Sequence, residues 1–451
     1  MSERNRIAVI GAGASGMTAA ITAARLGGEV TLFEKNDRVG KKILSTGNGK
    51  CNLGNTDFSI EKYYCEDRDK EKLRKMFQVF SVWDTISFFE SMGLMIREKD
   101  GYLYPYSEQA SSVLDVLRME LVRKNVTVIT GTEIREAGFD QERGEFELSC
   151  AEGKTWRFEK LIISCGSPAS LKKGEGHGGY ELAGKFGHMT GKLVPGLVQL
   201  KSDEPFIRGL SGVRVKAGVS LVVEGEERAR ESGEIQFTDY GVSGIPVFQI
   251  SRVAAFALEE GKDVRILVDF FPDQEQRPFS WQNRVRYETQ ADKTLEDYMT
   301  GMLNKKINMA LIRRAGLKPG IRASEVGWEK IREIMSLCRS LEIHISGVNS
   351  MENAQICAGG VLLDGLSTEL ESERVKGLYF AGEMLDVDGK CGGYNLQWAF
   401  TSGYIAGSAA AGCDVREIFP DPAENPQEEE EEHSRIRIME KADSREGNTI
   451  C

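Results

Sequence analysis

The segment "RIAVIGAGASGMTAAITAARLGGEVTLFEKN", residues 6–36, constrains the fold more than any other part of the chain. A short apolar run, Ile7 to Ile10, is followed by a glycine-rich turn and then by small residues at helical spacing. The stretch "GGEVTLFEK" then turns into a second apolar run. A strand, a helix and a second strand in this order form a βαβ unit. The segment therefore predicts an α/β fold with a parallel sheet.

The turn of this unit has the spacing GxGxxG at Gly11, Gly13 and Gly16. In dinucleotide-binding folds the first glycine permits a tight turn, the second lets the backbone approach a pyrophosphate, and the third lets helix and strand pack closely. The helix N-terminus supplies amide donors to the phosphates. Glu34 follows 18 positions after Gly16. Its carboxylate is suited to ribose hydroxyls and would repel a 2′-phosphate, which disfavours NADP at this site.

FAD and NAD share this half-site, and the next segment helps to separate them. "DRVGKKILSTGNGKCNLGN", residues 37–55, is a long loop rich in glycine and polar residues. An NAD-binding unit usually moves on quickly to its next helix. A loop of this composition can wrap a larger ligand moiety, and its Lys41 and Lys42 can reach phosphates. The alternative interpretation is a solvated, flexible loop.

Composition excludes several classes of protein. The formal net charge of −11 argues against a general binder of nucleic acid or anionic membranes. No apolar run is long enough to span a bilayer, and the first is too short for a secretion signal. The nine cysteines form no CxxC pair, which favours free thiols in a reducing cytoplasm. The four histidines lie far apart, so no metal site is expected. We therefore expect a cytoplasmic protein with a small-molecule substrate; the sequence leaves the oligomeric state open.

The pattern of the chain changes at about residue 195. From there "GVRVKAGVSLVVEGEE", "GEIQFTDYG" and "DVRILVDFF" indicate antiparallel strands, and two amphipathic helical stretches follow. "AQICAGGVLL" and "GLYFAGE" then return to the style of the first segment. The predicted domains are 1–194, the first part of the dinucleotide-binding domain; 195–353, an inserted substrate or cap domain, β then helical; and 354–412, its second part. The acidic segment 413–451 is predicted to be disordered.

A second glycine-rich motif, "GLYFAGEMLDVDGKCGGYNLQWAF", occupies residues 377–400. It indicates an apolar strand, a turn with an acid, and a glycine-rich loop that opens a helix. Such loops bind anions or the polar edges of ligands. Within the helix body, Ala399, Gly403, Ala406 and Gly407 are small residues typical of close packing. The functional part is therefore expected at the start of this helix.

Three blocks carry a resemblance to a known family: "VIGAGASGMTAAITAARLGGEVTLFEKNDRVGKKILSTGNGKCNLGN", "EIQFTDYGVSGIPVFQIS" and "GLYFAGEMLDVDGKCGGYNLQWAFTSGYIAG". In this order, over roughly residues 5–412, the chain resembles the BaiN-type NAD(P)/FAD-dependent oxidoreductases, also called aminoacetone oxidase-like flavoproteins. The resemblance implies a glutathione-reductase-type FAD-binding Rossmann domain, interrupted by an inserted β-barrel-like plus helical domain. It also implies FAD as the cofactor.

The resemblance implies where FAD would be held. The loop from Lys41 to Asn52 would run beside the ribityl chain and the flavin. Ile134 matches the position that meets the adenine through backbone groups. Glu383 matches an acid near the ribityl or pyrophosphate region, where related flavoproteins more often carry Asp. The implied cofactor-binding residues are Gly11, Gly13, Ala14, Ser15, Gly16, Glu34, Lys35, Lys41, Lys42, Gly47, Asn52, Ile134, Gly382, Glu383, Gly393, Asn395 and Leu396.

Candidates for acid–base catalysis are few. Tyr394 lies in the flavin-side loop, Asp239 and Tyr240 lie on the inserted domain, and His177 lies on a loop after the "SCG" strand. Much of the family carries His where this chain has Asp239, so a role of that histidine does not transfer. The start of the C-terminal helix would face the flavin N1–C2=O edge and stabilise negative charge there.

Two other motifs are missing from the sequence. No strand–GxGxxG–helix unit occurs between 166 and 376, so NADH or NADPH is expected to bind only transiently. "GEGHGGYELAG", residues 174–184, is glycine-rich but follows no clear strand. Cys51 and Cys391 stand alone, which disfavours disulfide reduction, although a bridge between them is conceivable.

The sequence thus predicts a FAD-dependent oxidoreductase. The favoured reaction is a reductase, EC class 1.3, that passes hydride from NAD(P)H through FAD to an activated C=C bond of an apolar substrate. A 3-oxo-Δ4 steroid or a bile-acid intermediate is the example that the family resemblance implies. Two alternatives remain open: a flavin amine oxidase that acts on a small amine with O2, and a flavin-bound redox sensor or scaffold whose acidic tail recruits a partner.

Overall fold

The computed structural model describes residues 5–274 and 276–413. The predicted acidic tail, 413–451, lies outside the described residues except for its first residue. The helices are α1 (Ala14–Arg25), α2 (Lys70–Val79), α3 (Val82–Glu90), α4 (Ala110–Arg123), α5 (Gly178–Lys185), α6 (Pro205–Leu210), α7 (Ile245–Glu259), α8 (Gln276–Gln290), α9 (Leu295–Met299), α10 (Lys305–Arg314), α11 (Ala323–Arg339) and α12 (Tyr394–Ala410).

Strands occur throughout the described chain, and short 3₁₀ turns join some of them, the longest over Lys41–Gly49. The strands are β1 (Arg6–Ile10), β2 (Glu29–Phe33), β3 (Gly54–Asn55), β4 (Tyr63–Tyr64), β5 (Ile96–Lys99), β6 (Tyr102–Pro105), β7 (Thr127–Ile129), β8 (Ile134–Asp140), β9 (Glu145–Cys150), β10 (Thr155–Phe158), β11 (Lys160–Ile163), β12 (Val194–Gly196), β13 (Leu200–Lys201), β14 (Arg214–Val223), β15 (Glu226–Phe237), β16 (Gly241–Ser243), β17 (Val264–Asp269), β18 (Leu341–His344), β19 (Gly347–Val348), β20 (Ile356–Ala358), β21 (Leu378–Phe380) and β22 (Asp388–Gly389).

A five-stranded sheet in the order β21-β11-β1-β2-β7 forms the centre of the first unit. All its pairings are parallel, and Ile7 of β1 lies opposite Lys160 of β11 and Val30 of β2. The inner strands are apolar on both faces because both faces are covered. The α/β class and the βαβ unit at the N-terminus are confirmed. The segment "KLIISCG" joins this sheet as β11, between β1 and β21.

The two faces of this sheet have different cover. On one face α1, α4 and α12 pack against side chains such as Val9 and Leu32. On the other face, Ile10 and Phe33 pack with residues of the three-stranded antiparallel sheet β10-β9-β8 and of α5. The strands β1, β2 and β11 all end at the same edge of the sheet. At this edge the glycine turn follows β1, and Glu34 follows β2. Ligands of open α/β sheets bind at this carboxyl edge.

The second unit is a seven-stranded sheet in the order β18-β17-β14-β15-β16-β13-β19. Its core is shared with α7 and with the helices of the following segment: Val219, Ile250, Ile266, Leu311 and Ile334 are all fully buried. The strand order has two ends, so closure into a barrel is not confirmed. β12 and β20, where the chain approaches and leaves this unit, pair antiparallel with each other. The domain limits 195 and 353 remain predictions.

Candidate functional site

Two of the three motif glycines are required by packing alone. Gly11 has a φ of +99°, and a Cβ there would lie 2.5 Å from the carbonyl oxygen of Ser164 in the segment after β11. A Cβ at Gly16 would lie 1.8 Å from the carbonyl oxygen of Gly11. Neither position can carry a larger side chain without moving backbone. These two glycines therefore close the turn and bring α1 against the sheet, as the motif predicts.

Gly13 has a different environment. A Cβ there would meet no heavy atom within 4 Å, although the residue lines a cavity. It caps α1 with extended backbone, and the first amide groups of a helix have no partner within the helix. The chain packing alone does not require a glycine here. The space over Gly13 is instead the space that a pyrophosphate needs to reach the backbone, so the structure fits a dinucleotide at this turn.

Glu34 directly follows β2 and is 8% exposed. One carboxylate oxygen accepts a hydrogen bond from the Ala12 amide at 3.0 Å, and the other accepts from the backbone and side-chain nitrogens of Asn36 at 2.9 and 2.5 Å. A carboxylate offers about four acceptor positions, so one remains for a ligand hydroxyl. The acid therefore holds the glycine turn in place and still faces the cavity.

A cavity of about 710 Å³ runs along the carboxyl edge of the parallel sheet. It brings together twelve of the predicted cofactor-binding residues: Gly11, Gly13, Ala14, Ser15, Glu34, Lys35, Lys41, Lys42, Ile134, Glu383, Asn395 and Leu396. Five others are not among its lining residues: Gly16, Gly47, Asn52, Gly382 and Gly393. Residues that lie far apart in the sequence thus converge on one elongated cavity.

The two predicted phosphate-binding lysines have acidic partners. Lys42 Nζ lies 2.6 Å from Glu383 Oε2, and the other oxygen of Glu383 accepts from the Cys357 amide at 3.2 Å. Lys41 Nζ lies 2.7 Å from Asp37 Oδ1, and this pair is exposed. Lys42 and Glu383 therefore form one charged pair across the cavity, whereas Lys41 belongs to the rim.

Three of the residues outside the cavity lining support its walls. Gly382 has a φ of +83°, and a Cβ there would lie 2.2 Å from Ser15 Oγ. A Cβ at Gly47 would lie 2.9 Å from the Asn52 amide, and a Cβ at Gly393 would lie 2.9 Å from Asn52 Oδ1. The loop of residues 37–55 therefore packs closely against the start of α12.

Two buried polar atoms at this end of the cavity have no hydrogen-bond partner among the described residues. They are Asn52 Oδ1 and Trp398 Nε1, and Trp398 lines the cavity. Buried polar atoms are nearly always satisfied, by protein, water or ligand. Together with the open space at Gly13, the unpartnered Trp398 Nε1 in the cavity lining fits a cofactor with polar groups at both places, whereas Asn52 lies outside the lining.

The start of α12 is built as the sequence predicts. Gly392 and Gly393 have φ values of +126° and +99°, which permit the sharp entry into the helix. The Asn395 side chain accepts from the Gly389 amide at 2.8 Å and donates to the Gly389 and Lys390 carbonyls at 2.8 and 3.3 Å. Asn395 thus ties the glycine-rich loop to the helix that carries Leu396 into the cavity wall.

Of the four candidates for acid–base catalysis, His177 lines the cavity, and the other three do not. Tyr394 is 4% exposed, and its hydroxyl donates to the Asp57 carbonyl at 2.9 Å. Burial raises the pKa of its phenol. Asp239 and Tyr240 lie exposed on the turn between β15 and β16. None of the three is among the residues that line the cavity, and their catalytic role remains a prediction.

One wall of the cavity was not expected from the sequence, although one of its residues, His177, was a catalytic candidate. Residues 164–167, after β11, and the glycine-rich segment 174–179 line it, and His177 is part of that segment. Ser164 Oγ donates to the carbonyls of Ile10 and Gly11 at 3.0 Å. The glycine content of "GEGHGGYELAG" was the signal in the sequence for this wall. It was not decisive, because an irregular segment separates these glycines from β11 and no strand precedes them directly.

The cysteines and the possible metal ligands of the described residues form no disulfide and no metal-binding cluster. Cys51 and Cys391 are separate free thiols, and burial raises both pKa values, that of Cys51 to about 11. Within the described ranges, no group of three or more His, Cys, Asp or Glu side chains is arranged to hold a metal ion. In the same ranges, no helix combines the length and apolar character that a membrane crossing needs.

The parallel sheet, the glycine turn with its acid and the cavity along the sheet edge define a Rossmann-type dinucleotide-binding fold. A family model described as "HI0933-like protein Rossmann domain" matches residues 5–409. The chain therefore belongs to the HI0933-like family. The resemblance to BaiN-type oxidoreductases, drawn above from three sequence blocks, is confirmed.

The chain is similar to several individual proteins. The chain is 42% identical over 415 residues to a 3-dehydro-bile acid delta(4,6)-reductase of Clostridium scindens, covering 90% of this chain and 99% of that protein. It is 28% identical over 406 residues to a ribosomal RNA dihydrouridine synthase of Escherichia coli, covering 89% and 97%. A solved 3-ketosteroid-delta4-(5alpha)-dehydrogenase from Rhodococcus jostii aligns with a TM-score of 0.49 and 14% identity, covering 91% of this chain and 98% of that chain.

Proposed function

We propose that the protein is a FAD-dependent reductase that passes hydride from NADH or NADPH to an activated C=C bond of an apolar substrate. The enone of a 3-oxo-Δ4 steroid or of a bile-acid intermediate is the substrate class. The observation that carries the proposal is the 42% identity, over 90% of this chain, to a 3-dehydro-bile acid delta(4,6)-reductase. When bound, FAD supplies reversible hydride chemistry, which is what links a nicotinamide donor to a C=C acceptor.

The residues of the glycine turn would hold the cofactor's dinucleotide part. The free amides at the start of α1 would donate to the pyrophosphate above Gly13. The remaining acceptor position of Glu34 would take a ribose hydroxyl, and Lys35, which lines the same cavity, would add positive charge near the phosphates. Ile134 would meet the adenine at the opposite end from α12. The cofactor would thus lie along the carboxyl edge of the sheet, with its pyrophosphate at Gly13 and its adenine at Ile134.

The residues at the start of α12 would act at the reactive end. The amides of the first turn would stabilise negative charge that develops beside them, because a helix N-terminus carries positive dipole. Asn52 Oδ1 and Trp398 Nε1 would gain partners there. Tyr394 would be the proton donor from the parallel-sheet unit. Burial raises the pKa of its phenol, so the hydroxyl stays protonated. To act on a substrate, the hydroxyl would have to break its hydrogen bond to the Asp57 carbonyl.

The seven-stranded unit would act as the substrate or cap domain. Its helix α7 and strand β15 contact the loop 388–391, beside the α12 end of the cavity. An apolar substrate would therefore enter between this unit and the parallel-sheet unit. Asp239 and Tyr240 are exposed and lie outside the lining of the cavity, so they would act on a substrate only outside the cofactor cavity.

A nucleic-acid substrate is the acceptor suggested by the more distant relatives, which are 28% and 26% identical. The formal charge of −11 disfavours it, because RNA affinity depends on basic residues that neutralise phosphates. A small apolar acceptor needs no such surface. The absence of nucleic acid among the partners remains a prediction.

Anaerobic stopped-flow absorbance of the purified flavoprotein tests the proposal. The protein is mixed separately with NADH, NADPH and a small amine, and then with a 3-oxo-Δ4 steroid. Rapid bleaching by one of the nucleotides, reversed by the steroid, is the expected result, and the faster nucleotide is the donor. Bleaching by the amine alone, reversed by air, would instead identify an amine oxidase. Bleaching by none of these donors would favour a sensor or scaffold.

A further inference from the structure

A buried ion pair joins the two units next to the flavin end of the cavity. Arg252 lies on α7 of the seven-stranded unit, and Asp388 is the first residue of β22, in the loop before α12. Arg252 Nε lies 2.9 Å from both carboxylate oxygens of Asp388. The Asp388 residue is 2% exposed. The Asp388 carboxylate is therefore buried, and Arg252 covers it with a side chain that is only partly exposed.

The Arg252 side chain is held on several sides. Its guanidinium carbon lies 4.7 Å from the ring centre of Tyr64 and 4.9 Å from that of Phe256. Tyr64 is also the backbone partner of Asp388, because β4 and β22 pair antiparallel. A guanidinium stacked on aromatic rings keeps one orientation. Its position thus fixes the position of the Asp388 carboxylate, and with it the strand β22.

Two further contacts join α7 and β15 to the same loop. Gln249, one turn before Arg252, accepts from the Cys391 amide at 3.0 Å and donates to the Cys391 carbonyl at 3.4 Å. Glu231 of β15 lies 2.8 Å from Lys390 Nζ. Three of the four residues of the loop 388–391, namely Asp388, Lys390 and Cys391, are therefore contacted by the inserted unit. The parallel-sheet unit does not hold this loop alone.

The loop in turn is fixed to the cavity wall. Asn395 bridges Gly389 and Lys390 with three hydrogen bonds, and Asn395 itself lines the cavity with Leu396. Val387, the residue before Asp388, lines it too. A continuous chain of contacts therefore leads from α7 through Asp388 and the loop to the start of α12.

The buried pair is poorly suited to a purely stabilising role. Burial raises the pKa of Asp388 to about 6, even though the Arg252 guanidinium beside it acts in the opposite direction. The cost of burying the two charges offsets much of their attraction, and such pairs are often replaceable by apolar residues without loss of stability. What the pair supplies is a single allowed geometry between two units.

We propose that Arg252 and Gln249 are positioning residues that hold the loop 388–391, and through it the start of α12, in the geometry that binds and tunes the flavin. The inserted unit then does more than cover the substrate: it completes the cofactor site of the other unit. This inference rests on the proposed function for the presence of a flavin. The inference goes beyond the proposed function because it assigns a positioning role to residues that lie outside the cavity lining.

The test uses the holoprotein and four variants. Arg252→Gln removes the positive partner, Arg252→Lys keeps the charge, and the double variant Arg252→Gln/Asp388→Asn removes both charges. Arg339→Gln is the control, because Arg339, about as exposed as Arg252, pairs at 3.1 Å with the more exposed Asp269 within the inserted unit and away from the loop. For each protein, the melting temperature, the flavin dissociation constant, the visible flavin spectrum and the flavin midpoint potential are measured without substrate.

The expected results distinguish an effect on the geometry of the flavin site from an effect on the stability of the fold. Arg252→Gln weakens flavin binding at least tenfold and shifts the spectrum and the potential, and Arg252→Lys recovers most of each. The double variant regains melting temperature, because no uncompensated charge stays buried, yet its flavin binding stays weak. Arg339→Gln lowers only the melting temperature. If Arg252→Gln does not fold, the double variant alone decides.

Two results would overturn the proposal. In the first, the double variant binds flavin with the affinity, spectrum and potential of the wild type. In the second, Arg339→Gln disturbs the flavin as strongly as Arg252→Gln does, which would make the effect one of general stability. Wild-type protein that takes up no flavin would instead count against the proposed function, so the two failures are distinguishable.

Discussion

At the scale of single residues, the glycine motif has separable duties. Gly11 and Gly16 are glycines because neighbouring backbone occupies the place of a Cβ, at 2.5 and 1.8 Å. Gly13 has open space there instead. The first two therefore serve the fold, and Gly13 serves the ligand. The motif in the sequence predicts all three positions, but only the structure shows which of them is not explained by packing.

Gly13→Ala is therefore predicted to affect the cofactor and not the fold. Gly13 has a φ of −82°, which alanine adopts without strain. The new methyl group would occupy the space through which a pyrophosphate approaches the backbone. We expect the flavin dissociation constant to rise at least about tenfold, or roughly 1.4 kcal/mol. Fluorescence titration of apoprotein with FAD measures this, and urea unfolding of the apoprotein should be unchanged.

Gly16→Ala provides the contrast. Its methyl group would meet the Gly11 carbonyl, so the apoprotein itself should lose stability by several kcal/mol or fail to fold. If instead Gly13→Ala lowered apoprotein stability as much as Gly16→Ala does, the assignment of Gly13 to the ligand would be wrong.

At the scale of elements, the contact between α1 and α12 builds the cavity. Gly403 and Gly407 of α12 lie against the carbonyls of Ser15 and Ala19, where a Cβ would come within 2.4 and 2.5 Å. Both helices begin at the cavity, so their packing sets the distance between its two glycine-rich walls. Gly403, Ala406 and Gly407 pack as the sequence indicated, whereas Ala399, expected in the packed helix body, lines the cavity.

Gly407→Ala should separate these helices. We expect a loss of about 1–3 kcal/mol in the free energy of unfolding, since a backbone contact must give way. Gly403→Ala should in addition weaken flavin binding, because its neighbour Ser15 lines the cavity. Urea unfolding and flavin titration check both.

A glycine in an open helical position serves as the control. Gly184 of α5 has no heavy atom within 4 Å of the place where a Cβ would be, so Gly184→Ala should be neutral or stabilising by up to about 1 kcal/mol. Equal losses at Gly184 and Gly407 would show that helix packing is not the cause.

The sequence predicted elements better than contacts between distant segments. Glycine turns and apolar runs are local signals, so β1, α1, β2 and the start of α12 were all expected. The wall formed by segment 174–179 was missed because it follows an irregular stretch and not a strand. Contacts such as Arg252 with Asp388 join residues 136 positions apart and leave no local pattern. Tyr394 was expected in the flavin-side loop; it is the first residue of α12 and lies outside the cavity lining, and the bond of its hydroxyl to the Asp57 carbonyl left no signal in the sequence.

At the scale of the whole molecule, one buried histidine links stability to pH. His188 is 5% exposed, its Nε2 lies 2.7 Å from Ser372 Oγ, and its ring packs edge-on against Phe380 of the parallel sheet. Ser372 Oγ also accepts from the amides of Arg374 and Val375, so its own proton is free to go to the imidazole. Burial, and secondarily the Arg374 charge, lowers the pKa of His188 to about 4.

His188 should therefore destabilise the fold in acid. Its folded pKa lies below the value of about 6.5 in the unfolded chain, so its contribution is complete above pH 6.5 and is lost as the pH falls towards 4. The shift corresponds to at most about 3 kcal/mol. Urea unfolding of wild type and His188→Asn measures it: the stability advantage of the wild type should shrink between pH 7 and pH 4.5. A difference that stays constant with pH would contradict the assignment.

The central claim is that one chain of two units holds FAD and reduces an activated C=C bond, and a single-turnover experiment tests it most directly. The holoprotein is reduced anaerobically with dithionite, which removes the question of the natural donor, and is then mixed with a 3-oxo-Δ4 steroid. The account predicts that the oxidised flavin spectrum returns and that the steroid leaves with its C=C bond saturated. A flavin that stays reduced with the steroid but is reoxidised at once by O2 would contradict it.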